Sequence, residues 1–500
     1  MVDRLNRQMP VLGAEGQAKI TNSRVAVLGT NQLANSTLVA MTAVGFGHIR
    51  IIGDGYVKGD LQSRVRDGFL YFASNSGKKV DALVDILSKI GTEIKDGLEG
   101  FCVSPSDATT NVFLKHTDVV IDATNSPNSK NLAFNFCKEN RIPFISAATS
   151  GDKGSMIVYE PPRSIEKKLV NILEKKKFVY DLPFYANKEQ GFVTSGVMGG
   201  EVVGELRKLV CPLEHDNLVF RPVNYNLRSK KRIGKKDDIL HPLTSLHGKS
   251  ILQIGCGAVG TYSALWLSLL GARLCLVDDD TVDETNLNRQ VLYYGCVKHP
   301  KANSLARRLK EISGYDIGYM KKRIGEDSLD VLNKFEPDLV LSCVDSIEAR
   351  LAINNLLMNY KRKIPLIEGS ASENSAQVNV CVPEITPCLR HQRWNSKGAD
   401  EYLKNTILSE REEAKKKKNL GEVAGCMAVG DPSIVMPDLV GGSIMAAESL
   451  LALQKNPDFY LRANITYDRS SLERLVIGES TDIPEAKTCY SKNCIFDLKF

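Results

Sequence analysis

The chain has 500 residues, more than one compact domain usually holds, and this length predicts two or three units. Its 43% hydrophobic and 25% charged residues are typical of a globular protein and exclude fibrous, largely disordered and small disulfide-rich chains. The 65 basic and 59 acidic residues leave a net charge of +6. This charge is too weak over such a length to indicate binding to nucleic acid or to an anionic membrane.

No segment of the sequence predicts membrane insertion or export. The most apolar run, Val259–Ala272, is shorter than the roughly 20 residues of a membrane span and predicts a buried helix. The N-terminal sequence MVDRLNRQMP lacks the apolar core of a signal peptide. We therefore expect a cytoplasmic protein whose twelve cysteines are reduced, which favours metal binding or thiol chemistry over disulfides.

The chain contains the same pattern twice. Gly29 in NSRVAVLGTNQLA and Gly255 in GKSILQIGCGAVG each follow a short apolar strand and precede an apolar helix, at a spacing of 255 − 29 = 226 residues. Later strands and a closing helix recur in the same order, at 48–54, 117–122, 141–146 and 199–210 and again at 273–279, 337–342, 363–367 and 441–453. Short apolar strands that alternate with helices predict two parallel α/β units.

These patterns divide the chain into two domains. We predict a first domain at residues 1–225, a basic linker at 226–241 and a second domain at 242–500. Within the second domain, the polar and lysine-rich residues at about 395–430 are expected to form an inserted, exposed surface segment with a helical part. Residues 151–225 are expected either to contact substrate or to brace the two domains.

The second domain carries a glycine-rich turn that is typical of phosphate binding. Gly255, Gly257 and Gly260 form a GxGxxG pattern between a strand and a helix, whose free N–H groups attract an anion. Asp278 ends the next strand, where an acidic side chain can hydrogen-bond a ribose. These features alone also fit an NAD-dependent oxidoreductase.

Further charges favour a triphosphate over the diphosphate of NAD. Arg289, within the sequence NLNRQ at 286–290, and Lys301 add two cations close to the phosphate turn. Asp345 follows a later strand, at the sheet edge where ligands bind in open parallel sheets. A carboxylate beside a triphosphate is a natural ligand for Mg²⁺, so the pattern predicts ATP with magnesium.

The sequences GCGAVG, LVDDDTVDETNLNRQ, KHPKANS and SCVDS together resemble the ubiquitin-activating superfamily, whose small prokaryotic members are the ThiF and MoeB proteins. The resemblance extends over nearly the whole chain. It implies two Rossmann-like ThiF-type adenylation folds that form an intramolecular pseudo-dimer. It also implies that ATP adenylates the C-terminal carboxylate of a small protein or peptide and releases pyrophosphate.

The resemblance assigns roles to individual side chains. The implied nucleotide-binding residues are Gly255, Gly257, Gly260, Asp278, Asp280, Asn286, Arg289, Gln290, Lys301 and Asp345. Asp278 and Asp280 would contact the ribose and neighbouring polar groups. Arg289 and Lys301 would contact phosphates, and Asn286 and Gln290 would support them. Asp345 would hold Mg²⁺.

The first half lacks most of these nucleotide-binding residues. Its turn reads GTNQLA, and Gly53, Ser63 and Asn125 stand where the second half has Asp278, Arg289 and Asp345, while Lys79 alone keeps a counterpart to Lys301. We therefore expect a non-catalytic partner. Arg7 resembles an N-terminal arginine that reaches the neighbouring subunit's ATP in family homodimers, so Arg7 is expected to serve the second half's γ-phosphate. The alternative is an exposed arginine without this role.

Cysteines of the second half suggest two further functions by resemblance. Family members often bind structural zinc through PCxxC and a later CxxC, and this chain offers Cys388, His391, Cys489 and Cys494 in PCLRH and CYSKNC. Ordinary reduced cysteines are the alternative, because the last spacing is unusual. Cys426 matches a cysteine that accepts the activated acyl group as a thioester, and an inert loop cysteine is its alternative.

The favoured function is activation of a ubiquitin-like protein that ends in glycine, catalysed by Cys426, Arg289, Lys301, Asp345 and Arg7. A conjugating enzyme or a sulfur-transfer protein is a possible further partner. Modification of a short peptide and activation of a sulfur-carrier protein are alternatives within the same chemistry. An NAD-dependent oxidoreductase leaves NLNRQ and Lys301 unexplained, and a non-catalytic scaffold does not explain why the second half keeps its site residues.

Overall fold

The structure, a computed structural model, describes most of both halves. The described residues are 3–74, 77–161, 191–214, 216–219, 222–227, 245–419, 432–454, 465–468, 475–477, 489–491 and 494–499.

Each half forms one mixed β-sheet, and the two sheets begin with the same strand order. The first sheet has the order β3-β2-β1-β4-β5-β6-β7 and the second the order β10-β9-β8-β11-β12-β13-β14-β15. The strands of the first sheet are β1 (Arg24–Leu28), β2 (His48–Ile52), β3 (Leu98–Phe101), β4 (Val119–Asp122), β5 (Phe144–Ser150), β6 (Lys153–Tyr159) and β7 (Val223–Asn226). The strands of the second are β8 (Ser250–Ile254), β9 (Arg273–Val277), β10 (Gly318–Met320), β11 (Leu339–Ser342), β12 (Leu366–Ala371), β13 (Ser375–Cys381), β14 (Ile465–Asp468) and β15 (Leu475–Ile477).

The first five strands of each sheet order are parallel, and the later strands are antiparallel. Central strands such as β1 and β8 are buried almost throughout, which explains why they are continuous apolar runs. Ile254 pairs with Val277 on one side and with Ser342 on the other. The residues that follow these three strands therefore meet at one carboxyl edge of the sheet.

Helices cover both faces of the sheets. In the first half they are α1 (Met9–Asn22), α2 (Gln32–Val44), α3 (Leu61–Asp67), α4 (Lys79–Ile90), α5 (Asp107–Phe113), α6 (Pro127–Asn140) and α7 (Gly191–Val210). In the second half they are α8 (Ala258–Leu269), α9 (Lys301–Ser313), α10 (Leu329–Phe335), α11 (Ile347–Asn359), α12 (Leu389–Arg393), α13 (Ala399–Asn419) and α14 (Val435–Ala452). Short 3-10 helices lie at Asp3–Gln8, Phe69–Ala73, Thr92–Gly97, Glu284–Asn286 and Val291–Tyr293.

Four buried helices, α2, α7, α8 and α14, join the halves in one core. Every residue of α2 and of α14 is buried. Gly196 on α7 lies against Trp266 and Ser443 of the second half, where an added Cβ would come within 2.8 Å of the indole ring. The Trp266 indole N–H donates to the Ser443 hydroxyl at 2.8 Å, which satisfies a polar group inside this core. The predicted pseudo-dimer of two α/β units is confirmed.

The predicted starts of two helices were wrong. Helices α7 and α14 begin at Gly191 and Val435, well before the glycine pairs at 199–200 and 441–442 where the sequence pattern predicts them to start. These glycines lie inside the helices because other segments of the protein approach them closely. A Cβ on Gly442 would lie 2.6 Å from the Val259 carbonyl oxygen. Helix α14 is long and apolar enough to cross a membrane by composition, but its whole length is buried inside the protein.

The proposed linker and inserted segment are corrected in part. Asn226 is the last residue of β7 and the following Leu227 is buried, so the first sheet extends into the proposed linker; residues 228–244 lie outside the described part. Helix α13 fills much of the segment at 395–430. Leu403 and Ile407 on this helix are fully buried, so one of its faces is anchored rather than exposed.

Candidate nucleotide-binding site

The glycine turn of the second half presents an open cradle at the amino end of α8. Gly255 has a φ of +95°, and a Cβ there would lie 2.5 Å from the Cys343 carbonyl oxygen, so both conformation and packing require glycine. A Cβ on Gly257 would instead point into open space. Gly257 precedes α8 without any side-chain cap, so N–H groups of the first turn are available to an anion.

The acidic cluster after β9 holds the cradle in place. Asp278 accepts hydrogen bonds from the backbone N–H groups of Cys256 at 2.6 Å and Asp280 at 2.8 Å. Burial raises the pKa of Asp278, while the positive charge of Lys301 opposes this shift. The Lys301 ammonium lies 2.8 Å from the Asp280 carboxylate at the start of α9. The structure thus brings Asp278, Asp280 and Lys301 to the same sheet edge as the cradle.

The NLNRQ sequence forms a compact loop beside this cluster. Asn286 accepts from the Asp283 backbone N–H at 3.1 Å, so its side chain shapes the loop. Arg289 is buried and donates to the Thr285 carbonyl at 3.0 Å and to the Asn288 side chain at 2.7 Å. The Gln290 side chain is also buried, and its carbonyl oxygen has no hydrogen-bond partner in the described structure.

The N-terminal 3-10 helix of the first half, Asp3–Gln8, packs on this loop of the second half. Arg4 is buried and donates to the carbonyls of Thr42 at 3.1 Å and Ala43 at 2.9 Å, at the carboxyl end of α2. It also donates to the Leu287 carbonyl at 3.3 Å, inside the NLNRQ loop. A single buried cation therefore ties the two halves together next to the site.

Arg7 lies three residues after Arg4 on the same 3-10 helix and contacts the second half through its backbone. Its carbonyl accepts from the Ser433 N–H at 3.0 Å, and Ser433 in turn accepts from the Asn288 side chain at 3.0 Å. The Gln8 side chain lies 3.4 Å from Asn288. The structure therefore places Arg7, which is half-buried, in the same neighbourhood as Arg289, as the hypothesis of a shared site requires.

Arg7 and Arg289 are close enough for their positive charges to repel. Burial lowers the pKa of Arg289; the negative charge of Asp438 opposes this shift, and the positive charge of Arg7 adds to it. Asp438 lies fully inside the protein on α14, 3.3 Å from the Ser433 hydroxyl, and its burial raises its pKa to about 7. Two arginines that lie this close to each other favour an anionic ligand between them.

Asp345 lies at the same carboxyl edge, between β11 and α11. It is exposed, and no hydrogen bond or ion pair of its side chain occurs within the described residues. Ser346 follows it and caps α11 by accepting from the Ala349 N–H at 3.2 Å. An exposed carboxylate at the edge of the sheet that carries the cradle fits the expected magnesium ligand.

In the first half, side chains fill the equivalent cradle. Asn31 caps α2 by accepting from the Ala34 N–H at 3.0 Å and donates to the Ala123 carbonyl at 2.9 Å. Thr30 occupies the space beside Gly53, where a Cβ would lie 2.7 Å from the threonine methyl group. The anion-binding end of this helix is thus already satisfied by the protein itself.

The remaining counterparts of the first half are also engaged. Lys79 forms an ion pair with Asp67 at 3.1 Å, and Asn125 donates to the Thr149 carbonyl at 3.0 Å. In the part of the first half that the structure describes, the equivalent cradle is filled and both Lys79 and Asn125 are engaged, in line with the loss of glycines in the sequence.

A second candidate site lies away from the cradle. Ligand atoms of Cys388, His391, Cys489 and Cys494 all lie within 4.8 Å of one another. The three sulfur atoms are 3.2, 3.3 and 3.8 Å from Nδ1 of His391. Tetrahedral zinc with ordinary bond lengths would separate sulfur and nitrogen by about 3.6 Å, so the four residues fit this ion. Hydrogen bonds from Cys388 and Cys489 lower the pKa of Cys494, whereas hydrogen bonds to Cys489 and Cys494 raise the pKa of Cys388.

Some residues were missed or remain outside the structure. Cys426 lies in 420–431, outside the described residues. Arg4, Ser433 and Asp438 lie at or beside the site, but no motif in the sequence indicates them. One pattern could have suggested the shared site: the tetrapeptide LNRQ occurs both at 5–8 and at 287–290, and Gln8 of the first copy lies 3.4 Å from Asn288 of the second.

Comparison with known proteins agrees with this architecture. The model of the ThiF family matches residues 5–238 and again residues 231–487, once in each half. The chain is 34% identical over 152 residues to the NEDD8-activating enzyme E1 catalytic subunit of Schizosaccharomyces pombe, covering 29% of this chain and 34% of that protein. It is 34% identical over 144 residues to the adenylyltransferase and sulfurtransferase UBA4 of Meyerozyma guilliermondii, covering 28% of this chain and 33% of that protein.

The chain thus spans about a third of the length of each of these curated relatives. Among solved structures, the crystal structure of PaaA is similar with 20% identity and a TM-score of 0.37, over 48% of this chain and 83% of that chain. The two family matches together extend over most of both halves, and the chain belongs to the ThiF family.

Proposed function

We propose that the protein uses ATP to adenylate the C-terminal carboxylate of a ubiquitin-like protein. The observation that carries this proposal is the contrast between the two cradles. In the second half, Lys301 acts on an open glycine turn, and Arg289 lies near both Arg7 and Tyr262 of the following helix, whereas Asn31 and Thr30 fill the cradle of the first half. One site completed by both halves suits one triphosphate.

In the proposed reaction, a carboxylate oxygen of the substrate attacks the α-phosphorus of ATP. The bond from that phosphorus to the bridging oxygen breaks, and pyrophosphate leaves with the electron pair. The negative charge that develops on the phosphates faces Lys301 and Arg289, which the fold holds in place before the reaction. Arg7 would neutralise the γ-phosphate from the first half.

Magnesium fits this site through the exposed carboxylate of Asp345, for which the described residues provide no hydrogen bond or ion pair. When bound, the ion would neutralise phosphate charge and orient the leaving group. Asp278, which is held by two backbone N–H groups, would contact the ribose.

A second step follows in the proposal. The Cys426 thiolate would attack the acyl carbon, form a thioester and release AMP. A Cys426→Ser variant that keeps full product formation would instead favour adenylation of a short peptide without a thioester. The names of the curated relatives support a ubiquitin-like or a sulfur-carrier protein as the substrate.

The test is ATP–pyrophosphate exchange by the full chain with three acyl probes: a ubiquitin-like protein and a sulfur-carrier protein that each end in Gly-Gly, and a short peptide. We expect exchange with one of the two proteins. Exchange with the peptide alone would move the proposal to peptide modification. Binding of NADH without binding of ATP would contradict it entirely.

We also propose that zinc occupies the four-residue cluster and stabilises the carboxyl end of the chain. Cys494 and Phe496 bind α11, because the carbonyl of Cys494 accepts from Asn354 at 3.1 Å and the N–H of Phe496 donates to Asn355 at 3.0 Å. Cys494→Ser should therefore lower both the zinc content and the unfolding temperature.

Zinc is measured by mass spectrometry of the purified protein, alongside thermal unfolding. Cys137→Ser serves as the control, because Cys137 is buried in the first half and should leave the zinc content near one per chain. Less than stoichiometric zinc in the unsubstituted protein, without a change on chelation, would refute the site. We further propose a cytoplasmic location, where the thiols that such a zinc site needs stay reduced.

A further inference from the structure

We propose that Glu410 is a positioning residue for the magnesium ligand Asp345. The proposal rests on the function proposed above and adds a residue to it. Glu410 lies on α13, in the inserted segment, more than sixty residues along the chain from Asp345. The structure brings its carboxylate to the loop that carries Asp345.

The contact is made with the backbone at the start of α11. One Glu410 oxygen accepts from the Ile347 N–H at 3.0 Å, and the other accepts from the Glu348 N–H at 3.3 Å. These two N–H groups belong to the first turn of the helix and have no partner within it. A carboxylate at this end also interacts favourably with the helix dipole. Because Asp345 precedes Ile347 by two residues, the contact restrains the backbone of the Asp345 loop.

The adjacent residue reinforces the same contact. Arg411 forms an ion pair with Glu348 at 2.9 Å and donates to the Leu498 carbonyl at 2.8 Å. Two successive residues of α13 therefore contact the first turn of α11. The Glu410 carboxylate accepts from its N–H groups, and the Arg411 guanidinium pairs with the Glu348 carboxylate. Arg350, one turn further along α11, is within electrostatic reach of both Asp345 and Glu410.

Apolar contacts anchor α13 independently of Glu410. Leu403 and Ile407 are fully buried in a cluster with Leu351 of α11 and Phe496 of the carboxyl-terminal tail. Leu403, Ile407 and Glu410 follow one another at spacings of four and three residues, so they share one helix face. The buried pair fixes the helix, and Glu410 extends the contact by one turn to the loop. Removal of the carboxylate should thus release the loop while the helix stays docked.

The experiment measures ATP binding to the full chain by titration calorimetry, with Mg²⁺ and with EDTA. The variants are E410A, E410Q and the control E412A, since Glu412 is exposed on the same helix. We expect Mg²⁺ to tighten ATP binding in the unsubstituted protein and in E412A. In E410A, the factor by which Mg²⁺ tightens ATP binding should be about tenfold smaller, because two charge-assisted hydrogen bonds disappear. The affinity for ATP in EDTA should be unchanged. E410Q keeps one acceptor oxygen and should fall between.

A full magnesium gain in E410A would overturn the proposal. Weaker ATP binding in EDTA for both E410A and E410Q would show a general structural role and would overturn it too. If Mg²⁺ has no effect on the unsubstituted protein, the proposed magnesium site itself fails, and the role of Glu410 fails with it. Thermal unfolding of each variant confirms that the protein remains folded during the titrations.

Discussion

Lys301→Ala should lower the rate of ATP–pyrophosphate exchange by about a hundredfold to a thousandfold. The Lys301 side chain is largely buried at the start of α9, and in the described structure its ammonium is paired with the exposed Asp280. The positive charge of Lys301 acts on Cys256 and Asp278 at the glycine turn, so a fixed cation lies near the cradle before any ligand arrives. Alanine removes the cation without a large change in packing, so the effect should fall on the reaction rather than on folding.

The first half provides a matched control for this variant. Lys79 occupies the equivalent place in the first half, also at the start of a helix, and pairs with Asp67. Lys79→Ala should keep the exchange rate within about twofold of the unsubstituted protein, because the neighbouring cradle is filled. Equal losses in the two variants would contradict the assignment of a single working site.

Arg7→Ala should reduce exchange by about a hundredfold and weaken ATP binding less. The reason is that Arg7 belongs to the first half but its backbone carbonyl binds Ser433 of the second half, and its charge acts on Arg289. Arg7→Lys keeps the charge but loses the planar fork, and an intermediate rate is expected. The measurement is the rate of exchange at saturating ATP together with the KM for ATP.

Arg24→Ala is the control for Arg7. Arg24 is an exposed arginine of the first half at the start of β1, the end opposite to the carboxyl edge. This variant should exchange at the normal rate. An Arg7→Ala protein with normal exchange would show that the first half only braces the second.

Much of the fold follows from local sequence patterns. The apolar strands, the glycine turn and the helix after it were predictable because their patterns are short and their spacing repeats. The starts of α7 and α14 were not, because their internal glycines serve close packing between the halves and imitate helix ends. Glycine is needed at these positions because another helix packs against them, and the local sequence does not show this contact.

The site shows the same division. Gly255, Asp278 and Lys301 could be identified because each follows directly from a strand end or a helix start. The roles of Ser433, Asp438 and Glu410 could not, because each depends on contact with a segment distant in sequence. The missing glycines of the first half predicted that its cradle would not bind phosphate. The sequence did not predict that Asn31 would cap the helix there.

The most direct test of the central claim is the number of ATP molecules that the full chain binds, measured by titration calorimetry with Mg²⁺. The pseudo-dimer with one open and one filled cradle predicts one ATP per chain. A valine at position 257 would place its side chain in the open cradle, so Gly257→Val should abolish this binding. Two equivalent ATP sites per chain, or one site that survives Gly257→Val, would contradict the account.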